Sequence, residues 1–214
     1  NCDRVVDKMQ GVYIPFWLYS GNCEGSITAE GINTRTWTSG NYRYTEKKYY
    51  SVYRNGTLDF KAVPVDASSK TDDDAMDSIE PFDYSEMTAF NPGYLSGYLA
   101  ERYDEDNDKC LPRAKERIEN TTRDELRNTC NYNSVNVQSY EKHTEIKDVK
   151  YAMLPTWLLY TTYQDKPYFF AMNGQTGKFI GNLPISKGKL VAYSLLGGVG
   201  GYIIGAILQI MGIF

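Results

Sequence analysis

His143 is the only histidine of the chain, and it stands among Glu141, Lys142, Thr144 and Glu145. A lone histidine in so polar a run suits a solvated strand or loop, and without a second one there is no H-E-x-x-H zinc site. No Ser or Cys lies in an elbow motif that would activate it as a nucleophile. Asp104, Asp106 and Asp108 alternate as the opening of a calcium loop does. The sixth place lacks Gly, however, and Lys115 fills the twelfth, where a bidentate Glu is needed. These acids read instead as a solvated cap for the next helix. Glu80 and Asp83 could serve as acid and base only if the fold made them converge. Cys2, Cys23, Cys110 and Cys130 show no C-x2-C spacing, so no metal site follows from them. Reduced thiols in a cytosolic domain are the plain reading. A Cys110 to Cys130 disulfide would join two points of one predicted helix that are too far apart along its axis. Walker and other phosphate-cradling glycine loops are absent, because the cluster at 197–201 is uncharged and lies in an apolar run. No catalytic, cofactor-binding or metal-ligating residue is assigned, and the chain reads as non-enzymatic.

With no chemistry to position, the elements themselves become the question. The chain has 214 residues, enough to bury a core, and 19 Tyr beside 8 Phe and 3 Trp favour half-buried strands and interfaces. A net charge of -4, with both signs interspersed and no basic stripe, argues against nucleic acid as a partner. Two segments echo one another, Gly11-Val-Tyr-Ile-Pro15-Phe-Trp17-Leu-Tyr19 and Tyr151-Ala-Met-Leu-Pro155-Thr-Trp157-Leu-Leu159-Tyr160. Both predict strands of two related β/α modules, with the prolines at an edge or bulge because proline cannot donate to a ladder. Runs 42–54 and 57–63 predict a hairpin across Asn55-Gly56, a pair suited to a type I′ turn. Thr71-Asp72-Asp73-Asp74 marks a helix start. Helical spacing extends over 94–103, and a longer amphipathic helix over 108–130 presents Leu111, Ala114, Ile118, Leu126 and Cys130 to a sheet. Strands over 133–140, 149–163, 167–173 and 178–183 follow, the last two joined by a turn at Gly174-Gln175-Thr176-Gly177. The fold expected is α+β: an antiparallel, β-rich body made of a first module over 1–92 and a second over 93–186, then a transmembrane segment over 187–214.

The membrane expectation rests on residues 190–214, which carry no charge over 25 positions, more than the roughly 20 apolar residues that span a bilayer as a helix. Lys187 and Lys189 precede the run, and the positive-inside rule places the body on the cytoplasmic side of a bacterial inner membrane. Gly197, Gly201 and Gly205 recur every fourth residue, the pattern of a helix-packing strip that would support a homo- or hetero-oligomer. The chain opens on Asn1-Cys2-Asp3-Arg4 without an initiator Met or signal peptide, which predicts a start inside a longer protein.

Several multi-residue motifs resemble a known family. They are Val63-Pro-Val-Asp-Ala-Ser68, Met76-Asp77 with Glu80-Pro81, Tyr94-Leu-Ser-Gly-Tyr-Leu-Ala-Glu101, the strand around Pro155 and Trp157, and Phe170-Ala-Met-Asn-Gly-Gln-Thr-Gly-Lys178 with Pro184-Ile-Ser186. Over nearly the whole chain they resemble bacterial membrane proteins with an N-terminal TFIIB-type zinc ribbon, this body and a hydrophobic tail, often labelled PriA helicase-like. The resemblance implies a non-enzymatic scaffold that brings SPFH (flotillin-like) and phage-shock protein A-like partners to the bilayer in envelope stress. The ribbon's C-x2-C knuckles are missing here, so zinc would belong only to a ribbon outside this chain. A second function follows from the aromatic strands: a ligand-binding or sensory domain in which Tyr13, Trp17, Trp157 and Tyr160 line a pocket between the two modules.

Overall fold

A computed structural model describes residues 9–97, 99–163, 166–181 and 193–198. Three long strands dominate it: β1 (Gln10–Ser39), β2 (Tyr42–Asp66) and β4 (Ser134–Tyr163). Shorter strands are β3 (Leu99–Ala100), β5 (Lys166–Asn173) and β6 (Phe179–Gly181), and the helices are α1 (Asp73–Ser78) and α2 (Asn107–Asn128). The strands make one mostly antiparallel, half-barrel sheet in the order β2-β1-β4-β5-β6, with β3 added parallel to β1.

Alternation along β1 explains which face each helix covers. Val12, Ile14, Phe16 and Leu18 point to one side, where Met76, Ile79 and Phe82 close over them together with Leu154, Leu158 and Ala171. Tyr19, Cys23, Ile27 and Ala29 point to the other side, under α2, whose Ala114, Ile118, Thr122 and Leu126 are buried. The same face includes Gly25 and Gly31, and their lack of a Cβ sets how close α2 and its following segment come. A Cβ on Gly25 would stand 2.9 Å from Thr122 Cγ2, and one on Gly31 would lie 2.6 Å from the Tyr132 ring. Asp72 caps α1 by accepting from Ala75 N, and Asp106 caps α2 by accepting from Lys109 N, so the acids at both helix starts act as caps.

The structure corrects the expected fold class. Two β/α modules side by side would each carry a sheet, whereas here the two proline-bearing segments are neighbours in a single one. Tyr13 pairs with Pro155, Ile14 with Leu154 and Pro15 with Met153, so the echoing motifs face each other about a local two-fold at Ile14 and Leu154. Neither proline takes the expected edge or bulge. Each sits where the flanking outer strand ends, and its carbonyl accepts a hydrogen bond, from Ala67 N at Pro15 and from Gly174 N at Pro155. The missing N–H of proline therefore leaves no gap in a ladder.

The transmembrane helix is the second correction. Among the described residues no helix is long and apolar enough to cross a membrane. Residues 193–198 are a short exposed helical stretch, and the remainder of the uncharged run lies outside the described residues. Absence of charge establishes that a run is apolar, not that it forms one continuous helix.

Three local expectations also change. Asn55-Gly56 is no turn: it lies within β2, with Asn55 opposite Ser26 and Gly56 opposite Gly25. The chain reverses instead at Gly40-Asn41, with Ser39 paired to Tyr42 and Gly40 at φ +58°. Burying Val52 beside Ala29 and Ile27 fixes the long register and overrides the local turn preference. Residues 94–103 hold a 3-10 turn at Pro92–Leu95 and then β3, because Gly97 at φ +86° interrupts a helix and Leu99-Ala100 find partners in Val12 and Tyr13. The two strands expected over 133–163 are one, since the polar stretch 141–148 pairs with β1 while one of its faces meets water.

Candidate functional site

Beyond Ile32, whose partner on β4 is Ser134, β1 pairs with no strand except β2 among the described residues. Residues 33–48 therefore project as a two-stranded ribbon, seven residue pairs and roughly 24 Å long at the usual strand rise. The ribbon and its base expose Trp37 (42%), Tyr42 (71%), Tyr44 (46%), Tyr49 (59%) and Tyr53 (60%). An isolated hairpin is marginal in water, so its side chains have to support it. Trp37 stacks on Tyr44 with centroids 5.6 Å apart, and the Arg35 guanidinium lies 5.7 Å from the Trp37 ring centre. Thr34 N donates to Asn133 Oδ1, and Tyr50 packs on Tyr132 at 5.2 Å, which fixes the base of this arm to the segment after α2.

Residues 33–54 hold five bases, Arg35, Arg43, Lys47, Lys48 and Arg54, against the single acid Glu46. Over the same span the ladder places Arg35, Trp37, Tyr44 and Lys48 on one face and Arg43, Lys47, Tyr49 and Tyr53 on the other. The arm is cationic and aromatic on both sides.

At the far end of β1 a cleft of about 780 Å³ opens. Tyr13, Tyr151 and Pro155 form its floor, and the segment running from α1 to β3 supplies Glu86, Phe90 and Tyr94 as a wall, with Glu101 where that segment leaves. Phe90 and Tyr94 are 66% and 56% exposed, a large apolar exposure at the rim of a cleft.

Buried polar groups hold the wall in place. Asn173 is fully buried and donates from Nδ2 to the carbonyls of Ile79 and Pro81, both at 3.0 Å, while its Oδ1 accepts from Gln175 N and Thr176 N. Gln175 then clamps Asp83, accepting from its N at 2.9 Å and donating to its O at 3.2 Å. On the other side Arg113 reaches Asp66 (2.6 Å), Asp73 (2.8 Å) and Asp77 (2.7 Å), and Arg117 pairs with Glu80 at 2.8 Å and Asp77 at 3.1 Å. Four carboxylates thus share two guanidiniums. Burial pushes the Asp66 carboxyl up to about 6 in spite of Arg113, and burial also raises Glu80.

The aromatics expected to share a pocket are dispersed. Tyr13 lines the cleft. Trp17 packs beside it in an edge-to-face cluster with Tyr103 and Tyr151, and its Nε1–H donates to Glu105 O. Trp157 is half-buried opposite Gly11, and Tyr160 stands on the other face, 4.8 Å from Phe169, at a second cleft of about 560 Å³. Gly197 lies in the short helical stretch with nothing within 4 Å of an added Cβ, while Lys187, Lys189, Gly201 and Gly205 lie outside the described residues. His143 is exposed on β4, opposite Glu24. Cys110 and Cys130 are free thiols buried in separate clusters, Cys23 is also free and buried, and burial raises the Cys110 thiol to about 11. Among the described residues no group of three His, Cys, Asp or Glu could hold a metal ion. The arm went unread because each half alternates like any strand. Its one available signal was the density of Tyr, Lys and Arg over 42–54.

No family model matches the chain, and no solved structure matches it. It is similar to a Bacillus subtilis (strain 168) protein described as uncharacterized protein YdjG, with 38% identity over 194 residues, which is 90% of this chain and 57% of that protein. The chain therefore spans little more than half the length of the relative it matches.

Proposed function

We propose that this chain is a non-enzymatic scaffold or recruitment module whose work is done by contact surfaces. The observation that carries the proposal is the arm: a two-stranded ribbon with exposed aromatic side chains, reaching past the other strands and helices among the described residues. Aromatic side chains give large contact area at low conformational cost, which is why they dominate binding hot spots. The resemblance to the zinc-ribbon family supplies the partners to try first, SPFH (flotillin-like) and phage-shock protein A-like proteins. Pull-down of such purified partners by the chain, compared with Trp37→Ala and Tyr44→Ala variants, tests this. Capture should fall at least about tenfold on losing either ring. Capture that is unchanged in both variants would remove the arm from the binding surface.

The second reading, a ligand-binding domain, keeps one specific observation in its favour. The cleft volume falls in the roughly 300–1,000 Å³ range of small-molecule sites, and Tyr13 is on its floor. Isothermal titration with candidate amphipathic ligands, read against Tyr13→Ala, separates this reading from the first.

A further inference from the structure

We infer that the arm of one copy docks in the cleft of a second copy, so that the chain assembles head to tail. The inference rests on the scaffold reading above and names one of its partners, the chain itself. Charge is the first argument. The arm and its base, residues 33–54, carry net +4, whereas residues 72–108, which include the cleft wall and its rim, hold twelve acids against Arg102 alone, net -11. Arg113, Arg117 and Lys109 answer only part of that excess, and at the cleft, which Arg102 also lines, Glu86 and Glu101 have neutral hydrogen-bond partners, Gln175 Nε2 and Ser68 Oγ. A molecule of net charge -4 is thus polarised, positive at one end of β1 and negative at the other.

The second argument is shape and surface type. The cleft presents Tyr13, Phe90, Tyr94 and Tyr151 beside those carboxylates. The arm presents a stacked Trp37–Tyr44 pair under the Arg35 guanidinium, with Arg43 at the tip. Aromatic packing can fill the cleft while Arg35 and Arg43 meet Glu86 and Glu101, a pairing of aromatic and arginine anchors typical of interface centres. The third argument excludes closure of the arm on its own cleft. Trp37 and Tyr13 are 24 positions apart on one continuous strand, about 80 Å of contour at the usual rise. Different patches meet in such a contact, so it is heterologous and generates a ring or an open filament.

Charge reversal in two halves tests the inference. One variant reverses the arm, Arg35→Glu with Arg43→Glu; the other reverses the cleft, Glu86→Arg with Glu101→Arg. Sedimentation velocity of the wild-type chain at low salt should show mass rising with concentration above 24.4 kDa, and about 500 mM NaCl should return it to monomer by screening. Each variant alone should remain monomeric, since the side chains that face each other at the junction then carry the same sign. Mixing the two should restore assembly, because both junctions regain opposite charges. Should the cleft variant fail to fold, Trp37→Ala takes its place and should weaken assembly at least about tenfold without altering charge. A wild-type chain that stays monomeric at every concentration overturns the inference, as does assembly that salt and both reversals leave unchanged. An arm reversal that spares self-association but abolishes binding of a single-stranded oligonucleotide overturns it too. Either failure leaves the scaffold reading standing if capture of SPFH or phage-shock-type partners persists.

Discussion

Asp66 and Asn173 occupy corresponding places, each one residue past the proline of its motif on the outer strand, paired with Phe16 and Thr156. Both are buried; Asn173 ties the segment after α1 to the sheet, and Asp66 ties the sheet to Thr71 and to Arg113 of α2. They do so with different chemistry, which separates their predicted behaviour. Asp66 is held with a carboxyl near 6 against an ordinary value of 3.8, chiefly by burial. A carboxyl whose folded value is raised favours the folded state once protonated, so its contribution is complete below about pH 4 and is lost as pH rises through 6. Stability should therefore increase by about 1 kcal/mol between pH 7 and pH 5, seen as about 2–4 °C in melting temperature. Glu80, also raised, acts in the same sense, whereas Asp83 and Asp104, lowered by their Ser85 and Ser69 hydrogen bonds, oppose it at lower pH. Asp66→Asn should flatten the profile, and a melting temperature that falls from pH 7 to pH 5 would contradict the assignment. Asn173 should show no such pH response. Asn173→Asp, nearly isosteric, removes both donors to Ile79 and Pro81 and should cost about 3 kcal/mol or more in urea unfolding.

At the scale of elements, the approach of β1 to β4 and α2 depends on glycines that no motif announces. A Cβ on Gly21 would lie 2.0 Å from the Glu145 carbonyl oxygen, a backbone atom that cannot step aside at the bulge between Ser20 and Gly21. Gly21→Ala should destabilise by about 3 kcal/mol or more, since it forces strand backbones apart. Gly56 is the contrasting case. Its added Cβ would make an ordinary 3.5 Å contact with Leu126 Cδ2, and its φ is not positive. Gly56→Ala should be neutral or stabilise by up to about 1 kcal/mol through the unfolded state. A type I′ turn at Asn55-Gly56 would reverse that expectation, because Ala is strained at positive φ. Paired thermal melts of the two variants thus check both the packing of β1 and the continuity of β2.

For the whole molecule, the arm contributes contact surface and little stability. Trp37→Ala with Tyr44→Ala removes a stacked pair that no buried cluster includes, so global stability should change by less than about 0.5 kcal/mol. A large loss of stability would mean that the ribbon is part of the cooperative fold and not an appendage. The polarity of charge along β1 belongs to this scale as well. It is invisible in the net charge of -4, because opposite ends cancel.

What the sequence by itself determined about this protein is whatever depends on neighbours along the chain. The caps at Asp72 and Asp106 were legible, as were the stripe of α2 through Ala114, Ile118 and Leu126, and the turn at 174–177, because each is settled within a turn or two of backbone. The likeness in sequence of the Pro15 and Pro155 segments was also legible. That they pair with one another was not, since a strand's edge partner is chosen by which faces can be buried together. Tertiary structure alone decided that Asn55-Gly56 stays extended, that 94–103 is no helix, and that β1 and β2 outrun their neighbours. The arm exists only because β4 starts at Ser134, opposite Ile32, and leaves seven further residue pairs that no third strand joins among the described residues. Burial is a property of the assembled sheet, and exposure of Trp37 and Tyr44 is what remains where that sheet stops.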